Sequence, residues 1–221
     1  MFIRPILRLH LIIKIHKITS GPFQENGYIV HEQYSKNCLL IDPGDNPKLY
    51  IRKIEENNLT PLAIINTHGH IDHIHAIQPL KNYFSIPFYI HENENMFIEH
   101  YPNSCITYGM IPNQKPEVDH WLTDETELKI GEYILKIIFT PGHTPGGLCY
   151  LINGDIFTGD TLFKGSIGRT DFPGGDYGTL MNSIQKLIDE VPRKTHVHSG
   201  HGLSTTIAEE INSNPFLVDI K

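Results

Sequence analysis

The stretch Thr67-His68-Gly69-His70-Ile71-Asp72-His73 constrains this chain more than any other, because three imidazoles and a carboxylate fall within seven residues. It follows directly on the apolar run Leu62-Ala63-Ile64-Ile65, and such a run closed by Asn66-Thr67 reads as a buried strand ending at a loop. Imidazole and carboxylate donors together suit a borderline divalent metal such as zinc, with iron, nickel or manganese as rivals. The compact H-x-H-x-D-H spacing can serve two ions. His68 and His70 alternate toward one, while Asp72 and His73, on the turn into the next helix, can face a second.

Three later strand-to-loop junctions carry the same chemistry. They are Thr140-Pro141-Gly142-His143-Thr144-Pro145-Gly146-Gly147, Gly159-Asp160-Thr161 and Ser199-Gly200-His201-Gly202. A single loop histidine is more often just exposed or hydrogen-bonded. Four such junctions, each at the end of an apolar strand, predict one site at the sheet edges.

The chain around them reads as two rounds of β-meander followed by helices. The first round has strands at 13–18, 28–31 and 38–42, a helix opened by Pro47, the strand at 62–66, a helix over 73–83, a strand at 87–91 and a helix over 92–101. Pro79 should kink or end the second of these helices. Residues 102–120 have three prolines and little periodicity and read as a long loop, of the kind that often covers a substrate. Strands follow at 126–130, 133–139, 147–152 and 155–158, then an amphipathic helix over 178–191, a strand at 195–199 and a closing helix over 204–212. Two sheets packed together with helices outside is the natural solution.

At 221 residues this is one α/β domain over 13–221, preceded by an N-terminal extension, residues 1–12, of uncertain role. The net charge of −7 and the lack of a Lys/Arg-rich run argue against nucleic acid and anionic membrane as partners. No apolar run approaches the roughly 18–20 residues of a membrane span. Cys38, Cys105 and Cys149 are scattered without a C-x-x-C pair, which fits a reducing compartment, the cytoplasm, with Cys38 and Cys149 as core thiols.

T-H-G-H-I-D-H, T-P-G-H-T-P-G-G, G-D-T-L-F and S-G-H-G together resemble the metallo-β-lactamase superfamily, a four-layer αββα sandwich, over roughly residues 13–220. G-P-F-Q-E-N-G-Y-I-V near the start and G-S-I-G-R-T-D-F-P-G-G at 165–175 resemble its short glyoxalase II-like, or hydroxyacylglutathione hydrolase-like, members. The resemblance implies that His68, His70 and His143 hold one metal, that Asp72, His73 and His201 hold a second, and that Asp160 bridges them. Asp72 and His73 then count as catalytic as well. It implies two divalent ions, zinc first with iron or manganese as rivals, about 3.5–4 Å apart, and a hydroxide between them that attacks a thioester or ester carbonyl. S-D-lactoylglutathione is the reference substrate.

Asp42 resembles the family's buried aspartate that orients the histidine loop; its alternative is a turn residue with its own local hydrogen bond. Arg169 and Asp171 can pair beside the site, and Lys164 is placed to meet an anionic substrate group, with plain surface pairing as the alternative for all three. His75 stands where the family usually has glycine, and Ser199 where proline is common. The other histidines read as ordinary, with His196 and His198 in core or supporting roles.

Only twenty residues follow His201, so the helical domain with which full-length glyoxalase II holds glutathione has no counterpart here, and a different thioester, an ester or a lactone is open. The runner-up is an enzyme resembling the mononuclear-iron persulfide dioxygenases, using His68, His143 and Asp160. A β-lactamase is disfavoured by Asp72-His73, where those enzymes commonly carry another residue. Oligomeric state stays open.

Overall fold

The computed structural model describes residues 12–218, so the expected extension lies outside the described residues but for Ile12. Strands β1 (Ile13–Ser20), β2 (Glu25–Glu32) and β3 (Asn37–Ile41) form an antiparallel meander. Helix α1 (Pro47–Glu56) has proline in its first turn, where the missing N–H leaves no bond unmade, and carries the chain to β4 (Thr60–Ile65), parallel to β3. Helices α2 (Ile71–Ile74) and α3 (Ile77–Phe84) lead to β5 (Phe88–His91), and α4 (Asn95–Thr107) leads to β6 (His120–Leu122), both strands adding in parallel. The first sheet thus runs β1-β2-β3-β4-β5-β6.

The second sheet starts with an antiparallel run of β7 (Glu127–Ile130), β8 (Tyr133–Phe139), β9 (Leu148–Ile152) and β10 (Asp155–Gly159). After a small hairpin, β11 (Leu162–Phe163) with β12 (Ser166–Ile167), helix α5 (Tyr177–Glu190) crosses to β13 (His196–Ser199), parallel to β10. The Asp176 carboxylate caps α5 by accepting the Thr179 N–H at 2.7 Å. Strand β14 (Thr205–Thr206) and helix α6 (Ile207–Ser213) follow, giving the order β14-β13-β10-β9-β8-β7.

Strand alternation explains the layers. Leu39, Ile41, Ala63 and Ile65 point from the first sheet toward Tyr133, Leu135, Tyr150 and Phe157 of the second. Their neighbours Cys38, Leu40, Ile64, Phe88 and Ile90 point the other way, onto Tyr50, Ile77, Leu80, Ile98 and Tyr101 of the helices. On the far side of the second sheet Ile138, Cys149, Ile156 and Val197 meet Leu180, Ile184, Leu187 and Ile207. Strands apolar on both faces need cover on both faces. The result is the expected four-layer αββα sandwich of two mixed sheets. All three cysteines are buried and unpaired. No described helix is long and apolar enough to cross a membrane.

Several local expectations are corrected. The helix expected over 73–83 is two helices, broken at His75 and Ala76, where the Ala76 N–H turns to the Gly44 carbonyl at 3.0 Å. Pro79 neither kinks nor ends a helix; it sits in the first turn of α3, where its missing N–H costs nothing. The loop expected from 102 begins only at Tyr108, because α4 continues through Pro102 to Thr107. An interior proline costs roughly 3 kcal/mol, and burial of Ile98, Tyr101 and Cys105 on the same helix offsets it. Strand β6 and the β11–β12 hairpin, two or three residues per strand, were not expected at all.

Candidate metal centre

Five loops meet at one edge of the sandwich, each at the C-terminal end of a strand: those after β3, β4, β8, β10 and β13. The histidine loop after β4 is held by buried side chains rather than by regular structure. Asp42 accepts the Thr67 N–H at 2.7 Å and the Thr67 hydroxyl at 2.6 Å. The Asn66 amide donates to the His73 carbonyl at 2.8 Å, and the Asn66 carbonyl accepts the Tyr150 hydroxyl at 2.9 Å. Helix α2 then turns Asp72 and His73 inward.

A buried carboxylate absent from the sequence reading, Glu94, ties this loop to the one after β8. Its two oxygens accept the Gly69 N–H at 2.8 Å and the Gly146 N–H at 2.6 Å. Burial raises its pKa to about 7, against the pull of these donors. No local motif marks Glu94; only an acidic residue just past a short strand could have drawn notice.

The second sheet's last loop is clamped from the first sheet. The Asn26 amide donates to the Ser199 and Gly202 carbonyls at 3.1 and 3.0 Å, and the Tyr28 hydroxyl to the Ser199 carbonyl at 2.6 Å. Glu25 forms an isolated backbone bridge with His201. Its buried carboxyl approaches His73 Nδ1 at 3.7 Å with neither oxygen hydrogen-bonded, and burial pushes its pKa well above the usual range.

The seven expected ligands converge. Donor atoms of His68, His70 and His143 lie within 4.8 Å of one another, as do those of Asp72, His73 and His201. Asp160 reaches into both groups: Oδ1 is 3.4 Å from His73 Nε2, and Oδ2 is 3.6 Å from His143 Nε2 and 3.5 Å from His201 Nε2. Asp72 Oδ2 is 3.3 Å from His201 Nε2. A third grouping, Asp42 with His68 and His73, is of another kind, since Asp42 is already engaged with Thr67 and faces His73 Nδ1 at 3.2 Å.

The outward nitrogens are fixed. His143 Nδ1 donates to the Arg169 carbonyl at 2.7 Å, and His73 Nδ1 donates to Asp42. That leaves Nε2 as the free donor atom on each ring. The Nε2 atoms of His68, His70, His73 and His143 and Oδ1 of Asp160 are buried without any hydrogen-bond partner. Five buried orphans aimed at one place are what a bound cation satisfies, so the residues fit divalent metal.

The electrostatics separate the two groups. Burial, and then the neighbouring imidazoles, hold His68 well below the ordinary range, and burial with His143 lowers His70 to about 3, so both rings are neutral ligands. Burial opposes charge on His73 and on Asp160. Asp160 and Asp72 nevertheless hold His73 well above its ordinary value, and His73, His143 and His201 push Asp160 down.

A cavity of about 750 Å³ opens over these residues, its wall formed by α2, α4 and the loops around 163–173. Arg169 and Asp171 form the expected pair, two bonds of 2.6 Å each, on the exposed side of the site, with the guanidinium 3.8 Å above the Phe172 ring. Lys164 does not line the cavity; it pairs with Glu209 at 3.0 Å. His75 lies outside the lining as well. Its Nδ1 bonds the hydroxyl of Tyr101, which does line the wall, at 2.8 Å, and its carbonyl accepts from Asn113 at 3.1 Å. His198 bonds Asp155 at 2.8 Å, and His196 is exposed.

Imidazoles and carboxylates gathered at one edge of an αββα sandwich, under a cavity sized for a small molecule, define a metal-dependent hydrolase. The family model described as the metallo-beta-lactamase superfamily matches residues 20–201, and the chain belongs to that superfamily. Hydroxyacylglutathione hydrolase GloC of Haemophilus influenzae is 38% identical over 210 residues, 93% of this chain and 97% of that one. Among solved structures, BLEG-1 B3 metallo-beta-lactamase matches with a TM-score of 0.87 at 40% identity, over 93% of this chain and all of its own. TTHA1623 in a di-iron-bound form matches at 0.82 and 35% identity, over 91% of this chain and 100% of its own.

Proposed function

We propose that the chain is a glyoxalase II-like, binuclear hydrolase of small thioesters and esters. His68, His70 and His143 would hold one ion and Asp72, His73 and His201 the other, with Asp160 within reach of both groups. The observation that carries this reading is the set of five buried, unpartnered donor atoms on which Asp160 and both triads converge. Ions held there supply a Lewis acid for the carbonyl and a water acidic enough to yield hydroxide near neutral pH.

The chain's own residues do the rest. Asp42 fixes the His73 ring and the Thr67 backbone, the Arg169 carbonyl fixes His143, and Glu94 keeps the two histidine loops in register. Asp72 and His73 are catalytic through the ion they hold. The sulfur side of a thioester leaves as thiolate, so no strong general acid is needed; outside the ligand set, His100 is the imidazole on the cavity wall among the described residues. Zinc is the first choice for a set rich in imidazole; the di-iron form of TTHA1623 makes iron the rival. The name of the Haemophilus relative supports S-D-lactoylglutathione as the reference substrate. The buried, unpaired thiols support a cytoplasmic setting.

The test is metal content of untagged protein purified without added metal. About two ions per chain is the expected result, followed by turnover of a thioester panel. Close to one iron per chain, undisturbed by His73→Ala, sinks the binuclear reading in favour of persulfide oxidation. A second reading, lactam hydrolysis, has the 40% identity to BLEG-1 in its favour. A chromogenic cephalosporin in the same panel decides between them.

A further inference from the structure

The wall of the cavity says more about the substrate than the ligands do. Three phenylalanines ring the imidazoles: Phe97 stands edge-on to His70 at 4.8 Å, Phe172 at 5.8 Å, and Phe163 edge-on to His201 at 6.0 Å. Phe23, Ile74 and Met96 extend the apolar surface outward. Any group attached to a carbonyl at the metal centre therefore lies against hydrocarbon from its first atoms onward.

Charge recognition is missing from the same wall. Among the described residues no lysine lines it, and the one arginine there, Arg169, is already bonded twice to Asp171 and stacked on Phe172. His100, the other basic wall residue outside the ligand set, has Nδ1 engaged with the Met96 carbonyl at 2.7 Å. Lys164 and Lys115, outside the wall, are paired with Glu209 and Glu99. A glutathionyl group carries two carboxylates and an ammonium. Charges lying against this wall give up part of their water for a surface that is mostly apolar, a cost that apolar contact does not return. An uncharged alkyl or aryl group gains from the same surface, and the volume of about 750 Å³ accommodates one of drug-like size.

We infer that, within the hydrolase reading proposed above, the cavity selects thioesters and esters whose non-reacting part is uncharged and apolar, not glutathione conjugates. The reaction is ordinary hydrolysis: water adds across the acyl C–S or C–O bond, giving a carboxylic acid and a thiol or alcohol.

The experiment keeps the acyl group constant. Metal-loaded protein is given D-lactoyl thioesters of glutathione and of 2-phenylethanethiol, each rate divided by its uncatalysed hydroxide rate. We expect kcat/KM for the phenethyl thioester to exceed that for the glutathione thioester at least tenfold. Met96→Arg, which adds a cation to the wall, should narrow the ratio several-fold by raising the glutathione value. A glutathione thioester turned over as well as or better than its apolar partner overturns the inference.

Calorimetry with the uncleavable 2-oxopropyl thioethers of the same two thiols separates this inference from the hydrolase reading. If neither thioester is hydrolysed, yet the phenethyl thioether binds at least tenfold more tightly, the hydrolase reading fails and the apolar selectivity stands. If the glutathione thioether binds as tightly or more so, the selectivity fails whatever the turnover.

Discussion

The two halves of the molecule furnish the site in different ways. The first sheet delivers four candidate ligands on one loop of seven residues; the second delivers three, His143, Asp160 and His201, from the ends of three separate strands. The supports differ too. The first-half loop is held by side-chain carboxylates, Asp42 and Glu94, which accept its backbone N–H groups. The second-half loops add backbone closeness to side-chain clamps, Glu94 on Gly146 and Asn26 and Tyr28 on Ser199. The Gly200 N–H donates to the Gly159 carbonyl at 2.8 Å, and Gly200 lies so near the Asp160 carboxylate and the His73 ring that a Cβ there would collide with both. A contiguous loop can be tuned by what it hydrogen-bonds; ends of separate strands depend as well on how closely the chain packs.

The largest test of that contrast lies where the halves meet. Asp160→Ala removes the one residue that reaches both triads, and is expected to release both ions and to lower turnover more than 100-fold, beyond the roughly 10–100-fold typical of residues that merely orient ligands. His70→Ala should release one ion and spare the Asp72-His73-His201 group. Metal analysis of the two variants side by side checks this, and two ions retained in His70→Ala would break the division into triads.

Next come paired glycine substitutions, one per half. Gly200→Ala should cost about 10–100-fold in activity, since ligands themselves must shift. Gly69→Ala meets only the Phe97 Cβ at 3.0 Å and Glu94 Oε2 at 3.2 Å, and should cost less than tenfold. Equal losses in steady-state assays would erase the distinction between packing-held and hydrogen-bond-held loops.

Smaller effects sharpen the carboxylate side. Glu94→Gln leaves one of the Gly69 and Gly146 N–H groups facing an amide NH2, and should destabilise the fold by about 1–3 kcal/mol in urea unfolding. Asp42→Asn should lower metal affinity about 10-fold or more, through His73, with a lesser change in stability. The smallest effect belongs to an ion pair remote from the site. Lys136→Ala, which breaks a half-exposed 2.7 Å contact with Glu190, should change stability by no more than about 1 kcal/mol.

Legibility in the sequence followed the same division. The cluster at 67–73 is readable because all its donors are neighbours in the chain. His143, Asp160 and His201 become readable only beside it, each being a single polar residue at a strand end. Asp42, in its Asp-Pro-Gly turn, was within reach, and its bonds to Thr67 and His73 place it behind the histidine loop. Glu94 and Asn26 were not, because each acts through backbone groups distant in the chain, Gly69 and Gly146 for one and Ser199 and Gly202 for the other. Pro102 misled for a related reason: local propensity ended α4 there, and contacts of Tyr101 and Cys105 with the core carried it on.

By itself the sequence determined the order of the longer strands and helices, the apolar runs that require cover on both faces, and the kind of donor atoms the site would hold. Those are properties of neighbours along the chain: periodicity, turn residues and ligand chemistry. Only the tertiary structure decided that Glu94 joins the two histidine loops, that Lys164 turns to Glu209 and away from the cavity, and that phenylalanines from α4, β11 and the loop after β12 surround the imidazoles. These depend on distances between segments far apart in sequence, set by the packing of two sheets against each other, and no local pattern encodes them.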